Sequence, residues 1–139
     1  MTPQQIDLVK ASWAKVLPIK NTAGRLFYDK LFQIDPALKA LFTEDLNTQI
    51  DKLMATLNLV VTSLDHLDTV LPQVEDLGRR HVGYGVKDQD YDAVGQALLW
   101  TLGQGLGSGF TSVVKEAWVE AYTILSSTMK AAARHVALE

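Results

Sequence analysis

The stretch from residue 77 to residue 86, LGRRHVGYGV, places a histidine between an apolar helix face and two glycines. His81 follows Leu77 by four residues and Val74 by seven, so a helix puts its imidazole on the same face as two apolar side chains. The glycines after it predict the end of that helix. An imidazole on an apolar face needs a hydrogen-bond partner or a metal. From this stretch alone, a core histidine bonded to a backbone carbonyl and a metal ligand both remain open.

The rest of the chain has helical periodicity, because apolar residues recur at spacings of three and four with no sustained alternation. We therefore predict an all-α single domain of six to eight helices over residues 1–139, with no strands. The predicted boundaries are a capping box at Thr2 and Gln5, a stop at Pro18, a cap at Asn21, a break at Asp35–Pro36, a polar lead-in at residues 43–45, a helix start near Leu71–Pro72 with an end at Gly83 and Gly85, and a breaker cluster of Gly103, Gly105, Gly107 and Gly109.

Composition excludes several classes of protein. The 139 residues are 47% apolar and 21% charged, which is typical of one soluble globular domain. A net charge of −3 gives no support for nucleic-acid binding, and the absence of cysteine excludes disulfides and thiolate catalysis. No apolar run approaches the roughly 20 residues of a membrane span, and the first residues do not resemble a secretory signal. We expect a cytoplasmic protein with no membrane or nucleic-acid partner.

Two further polar residues border predicted apolar faces. Tyr28 lies beside Phe27 on the second helix, and a buried phenol needs a hydrogen-bond partner. Gln49 precedes Ile50 on the long third helix. Together with His81, these residues indicate a largely apolar cavity with a few polar groups that converge on it.

The same residues, with Phe42 seven positions before Gln49 and just after the Pro36 turn, resemble the globin pattern. The resemblance covers about residues 4 to 130, and Trp13 on the first helix and Trp118 on the last agree with it. It is nearest to bacterial single-domain globins of the flavohaemoglobin-like lineage. The most specific segments are residues 80–86 and 91–95.

The resemblance implies a fold around haem b and a role for each matching residue. His81 is then the proximal ligand of the haem iron, and its other ring nitrogen donates to a backbone carbonyl, that of Leu77 being the expected one. Tyr28 and Gln49 face the gas ligand. The remaining implied haem contacts are Phe42, which stacks on the macrocycle, Leu53, Leu77, Val86, Tyr91, Val94 and Leu98 in the pocket, and Lys52 and Arg80 toward the propionates. For the pocket residues a plain core role stays open, as does a solvated helix face for the two cations.

The implied function is the binding of oxygen and other diatomic gases, including NO and CO. Two donors to a gas that acquires negative charge, each worth roughly 1.5–3 kcal/mol, slow its release by roughly two to four decades. The alternative is a nitric oxide dioxygenase or nitrite reductase at the same haem, which needs an external reductase because a chain of this length has no room for a flavin domain. A haem-free globin-like sensor module is the third possibility.

One departure from the flavohaemoglobin-like pattern limits the enzymatic interpretation. Tyr91 matches a tyrosine that helps to orient the proximal histidine, but Ala133 stands where a glutamate is expected. We therefore expect the proximal imidazole to donate less electron density to the iron than it does in a peroxidase. His66 lies too far along the third helix from Gln49 to reach the same iron unless that helix breaks early, and His135 is in the terminal tail, so neither is assigned to the site.

Overall fold

The computed structural model describes the backbone of residues 1–138 and the side chains of residues 1–134. Within this part the chain forms six α-helices, four short 3₁₀ segments and no strand, as the periodicity predicts. The α-helices are α1 (Pro3–Val16), α2 (Lys20–Ile34), α3 (Leu46–Thr62), α4 (Leu71–Gly83), α5 (Asp88–Leu106) and α6 (Ser112–Leu138).

The first helix begins as predicted, and the second does not. At α1 the Thr2 side chain accepts from the Gln5 amide while the Gln5 side chain accepts from the Thr2 amide, which completes the capping box. The predicted cap at Asn21 is wrong, because α2 already begins at Lys20. The 3₁₀ segment Leu17–Ile19 supplies the reason, since the Leu17 carbonyl accepts the Lys20 amide and no side-chain cap is needed.

Two aspartates set the connection between α2 and α3. Asp35, before Pro36, leaves the helical conformation (φ −144°, ψ 94°), and its carboxylate accepts from the Ala37 amide to start the 3₁₀ segment Pro36–Leu41. Asp45 caps α3 by accepting from the amide of Thr48. This connection places Phe42 next to the start of α3.

The predicted glycine breakers act only in part. Gly103 and Gly105 lie inside α5, and the helix ends at Gly107, whose φ of +55° is the left-handed conformation that glycine adopts without strain. Gly85 has a φ of +88° in the turn after α4. Gly107 thus ends α5 with a change of hand, whereas α4 ends at Gly83 without one.

Three glycines let helices cross at close range. A β-carbon on Gly24 of α2 would meet the Ile50 side chain of α3 at 2.5 Å. A β-carbon on Gly78 of α4 would meet the Met129 carbonyl oxygen of α6 at 2.5 Å, and one on Gly95 would meet the Tyr122 ring at 2.8 Å. The backbones of α4 and α6 therefore lie in close contact at Gly78, three residues before His81.

All six α-helices contribute buried apolar side chains to the core. Trp13 and Trp118 pack 6.1 Å apart, and their ring N–H groups donate to Asn58 and Ser12 respectively, so both buried indoles are satisfied. No helix in the described part of the chain is long and apolar enough to cross a membrane.

Candidate functional site

His81 is held in one orientation by its own helix. Its Nδ1 lies 2.8 Å from the carbonyl oxygen of Leu77, one turn earlier on α4, which is the predicted hydrogen bond. Because a carbonyl can only accept, Nδ1 carries the proton, and a neutral ring then has its lone pair on Nε2. Burial, with a smaller contribution from the charge of Arg80, lowers the pKa of His81 below its usual value and favours the neutral ring.

Tyr91 of α5 lies against the imidazole. The two rings stack with centroids 6.3 Å apart and planes inclined by 22°. Tyr91 is only 7% exposed, and its backbone carbonyl accepts from the Tyr122 hydroxyl of α6. The Tyr91 hydroxyl is buried and has no hydrogen-bond partner among the described side chains. The ring of Tyr91 thus packs on one side of the histidine, and the hydrogen bond from Tyr122 ties the Tyr91 backbone to α6.

A second cluster surrounds Tyr28 on α2. Its ring packs edge-on against Phe27 at 5.0 Å and Phe42 at 5.3 Å, and against Phe32 at 5.9 Å. The hydroxyl donates to the backbone carbonyl of Gln49 at 3.2 Å. Burial raises the pKa of the phenol to about 12, so it remains a donor at any physiological pH.

The histidine cluster and the tyrosine cluster make no direct polar or aromatic contact with each other in the described structure. Six apolar side chains on the segments that carry or adjoin the two clusters are only half-buried and pack against the core: Leu41, Phe42, Leu53, Leu77, Val86 and Val94. The structure therefore places the imidazole and the phenol in two separate clusters, with half-buried apolar side chains on the segments that carry or adjoin them.

This donor set fits haem better than a bare metal ion. Among the described residues no group of three or more histidine, aspartate or glutamate side chains converges on one point. A bare ion needs several protein ligands, whereas a porphyrin supplies four nitrogens of its own and needs one axial imidazole and an apolar slot. His81 provides the imidazole, and the half-buried apolar side chains provide surface of the kind that lines such a slot.

Several residues predicted from the sequence lie apart from the two clusters. Lys52 forms an exposed ion pair with Glu44, and Arg80 pairs with Asp76 at 3.4 Å. Leu98 is 6% exposed and belongs to the core. The propionate contacts of the two cations and the pocket role of Leu98 stay predictions.

His66 lies outside the two clusters, but not along the third helix as predicted, because α3 ends at Thr62. His66 follows the end of α3, is exposed, and its Nδ1 lies 2.8 Å from Asp65. The side chain of His135 lies outside the described residues. Ala133 has no polar side chain to offer, and no described carboxylate hydrogen-bonds to His81 or Tyr91.

Two residues of the site were missed from the sequence. Phe32 contacts both Tyr28 and Phe42, and its spacing of four from Tyr28 on a helix could have predicted the first contact. Lys130 of α6 places its ammonium 5.6 Å from the centre of the Tyr91 ring. No sequence pattern predicts that contact, since Tyr91 and Lys130 lie on different helices and are 39 residues apart along the chain.

Comparison with known proteins identifies the family. The globin family model matches residues 25–129. Neuroglobin-2 of Oncorhynchus mykiss is 31% identical over 93% of this chain and 90% of its own length. The flavohemoprotein of Xylella fastidiosa strain Temecula1 is 31% identical over 93% of this chain, which spans 33% of that protein. An engineered carbene transferase, made from a protein assigned as a nitric oxide dioxygenase in Rhodothermus marinus, superposes with a TM-score of 0.89 at 25% identity over 99% of this chain and 96% of that one.

The chain belongs to the globin family. The resemblance drawn from His81, Phe42, Gln49 and Tyr28 is thereby confirmed, and with it the all-α fold and the haem-based binding of diatomic gases that the resemblance implies.

Proposed function

We propose that this globin binds haem b through His81 and holds O2 with high affinity by hydrogen bonds from Tyr28 and Gln49. When bound, haem supplies a ferrous iron that binds diatomic gases and gives O2 a partial negative charge. The observation that carries the proposal is the bond between His81 Nδ1 and the Leu77 carbonyl, because it directs a free, unprotonated Nε2 away from the helix.

On the His81 side, the chain fixes both the proton and the orientation of the ring. The Leu77 carbonyl holds the proton on Nδ1, and burial keeps the second nitrogen unprotonated near neutral pH. Stacking on Tyr91 limits rotation of the ring. The partner of Nδ1 is a neutral carbonyl and not a carboxylate, so the imidazole is a weaker electron donor than a histidine paired with a carboxylate. This arrangement supports gas binding over peroxidase chemistry.

On the side of the proposed haem where the gas binds, the phenol of Tyr28 is the principal hydrogen-bond donor to O2. Its three aromatic neighbours restrict the ring, and its raised pKa keeps the proton on oxygen. The bond to the Gln49 carbonyl is long at 3.2 Å, so rotation of the O–H toward a charged acceptor exchanges a neutral bond for a stronger one. The half-exposed amide of Gln49 is the second donor in this proposal.

The proposal is tested by haem titration of the wild type beside His81→Ala, with His66→Ala as a matched histidine control. His66 is exposed and paired with Asp65, so its removal leaves haem binding unchanged. We expect a Soret band and a five-coordinate ferrous spectrum for the wild type and His66→Ala, and their loss in His81→Ala. A wild type that takes up no haem, or an unchanged spectrum in His81→Ala, refutes the assignment.

A second candidate is nitric oxide dioxygenation at the same haem, with an external reductase. It is supported by the match to the Rhodothermus marinus protein along almost the whole chain. Consumption of NO by the O2-loaded protein, followed with an NO electrode, separates the two functions. Sustained consumption in the presence of a flavin reductase and NADH supports the enzyme, whereas one stoichiometric burst supports the gas binder.

A further inference from the structure

Among the described side chains, one cation contacts the aromatic ring that stacks on the histidine. The ammonium of Lys130 on α6 lies 5.6 Å from the centre of the Tyr91 ring, and that ring stacks on His81 at 6.3 Å. The Lys130 side chain is 25% exposed, so its charge is partly withdrawn from solvent. Lysine, tyrosine and histidine therefore form a continuous chain of contacts from α6 through α5 to α4.

Three carboxylates lie near the same ring, and Asp88 and Asp90 bring negative charge to Tyr91 that opposes Lys130, so the effect of Lys130 is the change caused by its removal and not the net charge of the site. Asp88 pairs with Arg134 at 3.4 Å. Asp90 accepts from the backbone amide of Lys87 at 2.8 Å. Asp92 is the partner of Lys130, but at 4.0 Å and with its side chain 76% exposed, a geometry that contributes little.

We infer that Lys130 is an electrostatic positioning residue of the haem site, which raises the reduction potential of the iron by placing a positive charge behind Tyr91 and His81. The inference rests on the proposed function, in which His81 is the iron ligand. A nearby cation disfavours the ferric state, which carries one more positive charge than the ferrous state. Lys130 thus favours the ferrous form that binds gas.

The structure sets the size of the effect. The two centroid distances together place the ammonium at most about 12 Å from the imidazole. For a partly exposed charge, with an effective dielectric constant of about 40, loss of Lys130 raises the ferric-to-ferrous ratio at a fixed potential about threefold. For a one-electron couple this is a fall of about 30 mV in the midpoint potential.

The test is spectroelectrochemical titration of the haem-loaded wild type, Lys130→Met, Lys130→Arg and Lys115→Met. Lys115 is the matched control, because it is exposed on the same helix about 22 Å away along the axis. We expect the threefold change in Lys130→Met alone, with the wild-type potential retained in the arginine variant and in the control. If Lys130→Met folds poorly by circular dichroism, Lys130→Gln makes the same neutral change.

An unchanged or raised potential in Lys130→Met overturns the inference. So does an equal fall in Lys115→Met, which would show an effect of net charge only. Haem uptake, scored by the Soret band in the same samples, separates the two levels of the proposal. A wild type that binds no haem overturns the proposed function and this inference with it, whereas normal haem binding with an unshifted potential overturns this inference alone.

Discussion

Replacement of Tyr28 by phenylalanine removes one hydroxyl and leaves the aromatic cluster in place. The ring of residue 28 keeps its packing against Phe27, Phe32 and Phe42, since these contacts involve the ring and not the oxygen. What is lost is the donor that now bonds to the Gln49 carbonyl and that we propose turns to O2. The substitution therefore tests the donor with little effect on the fold.

The expected effect on O2 release is large. A hydrogen bond to a charged acceptor is worth about 1.5–3 kcal/mol, so its loss speeds O2 dissociation by roughly 10- to 150-fold. The affinity for O2 is expected to change less than the dissociation rate. In the wild type, binding breaks the neutral bond from Tyr28 to Gln49, worth about 0.5–1.5 kcal/mol, and the phenylalanine variant has no such bond to break. We expect the dissociation rate to rise by more than the Kd.

Stopped-flow mixing of the O2-loaded protein with excess CO measures the dissociation rate, and flash photolysis gives the association rate. Tyr84→Phe is the matched control, because it deletes a hydroxyl from a tyrosine that is 59% exposed outside the Tyr28 cluster and keeps the ring that lies 5.8 Å from His81. CO acquires little charge, so its dissociation from Tyr28→Phe is expected to change only slightly. A rate of O2 release within twofold of the wild type, or an equal effect on O2 and CO, contradicts the proposed role of Tyr28.

Three further outcomes are expected. Between pH 6 and 9 the rate of O2 release is flat in stopped-flow measurements, because the pKa of Tyr28 is raised to about 12, and a step in this range would show that another group controls release. Gly78→Ala destabilises the protein by about 1–3 kcal/mol in urea unfolding, since the new methyl group meets the Met129 backbone, whereas Gly83→Ala, with nothing within 4 Å, is close to neutral. The free energy of unfolding of the haem-free protein falls as the pH drops below 6.5, because the lowered pKa of His81 makes the unfolded chain the better proton acceptor. Urea unfolding from pH 7.5 to pH 5 measures this dependence, and His81→Phe should make it shallower. The same pH dependence in the variant would count against a buried neutral imidazole.

The predictions from sequence succeeded where local rules decide the structure. The capping box at Thr2, the break at Asp35 and the end of α4 at Gly83 each depend on a few neighbouring residues, and each was predicted correctly. The predicted cap at Asn21 was wrong because α2 begins one residue earlier, at Lys20, whose amide donates to the Leu17 carbonyl of the preceding 3₁₀ turn. Gly103 and Gly105 do not break α5, and a β-carbon at either position would make only ordinary contact, with the Phe110 ring or the Ile19 side chain.

In the candidate site, too, contacts within one helix were predictable and contacts between helices were not. The bond from His81 to the Leu77 carbonyl was predictable, because a spacing of four on one helix fixes that distance. The bond from Tyr28 to the Gln49 carbonyl was not, because it joins two helices whose crossing depends on the close approach of Gly24 and Ile50.

By itself, then, the sequence determined the helices, the turn chemistry between them and the identity of the histidine, phenol and amide, since these follow from periodicity and from residue type. The tertiary structure alone decided how those groups meet: the stacking of Tyr91 on His81, the aromatic enclosure of Tyr28 and the placement of Lys130 over the Tyr91 ring. The physical reason is that helix crossing geometry arises from side-chain packing between remote segments, and periodicity along one helix carries no information about its partner.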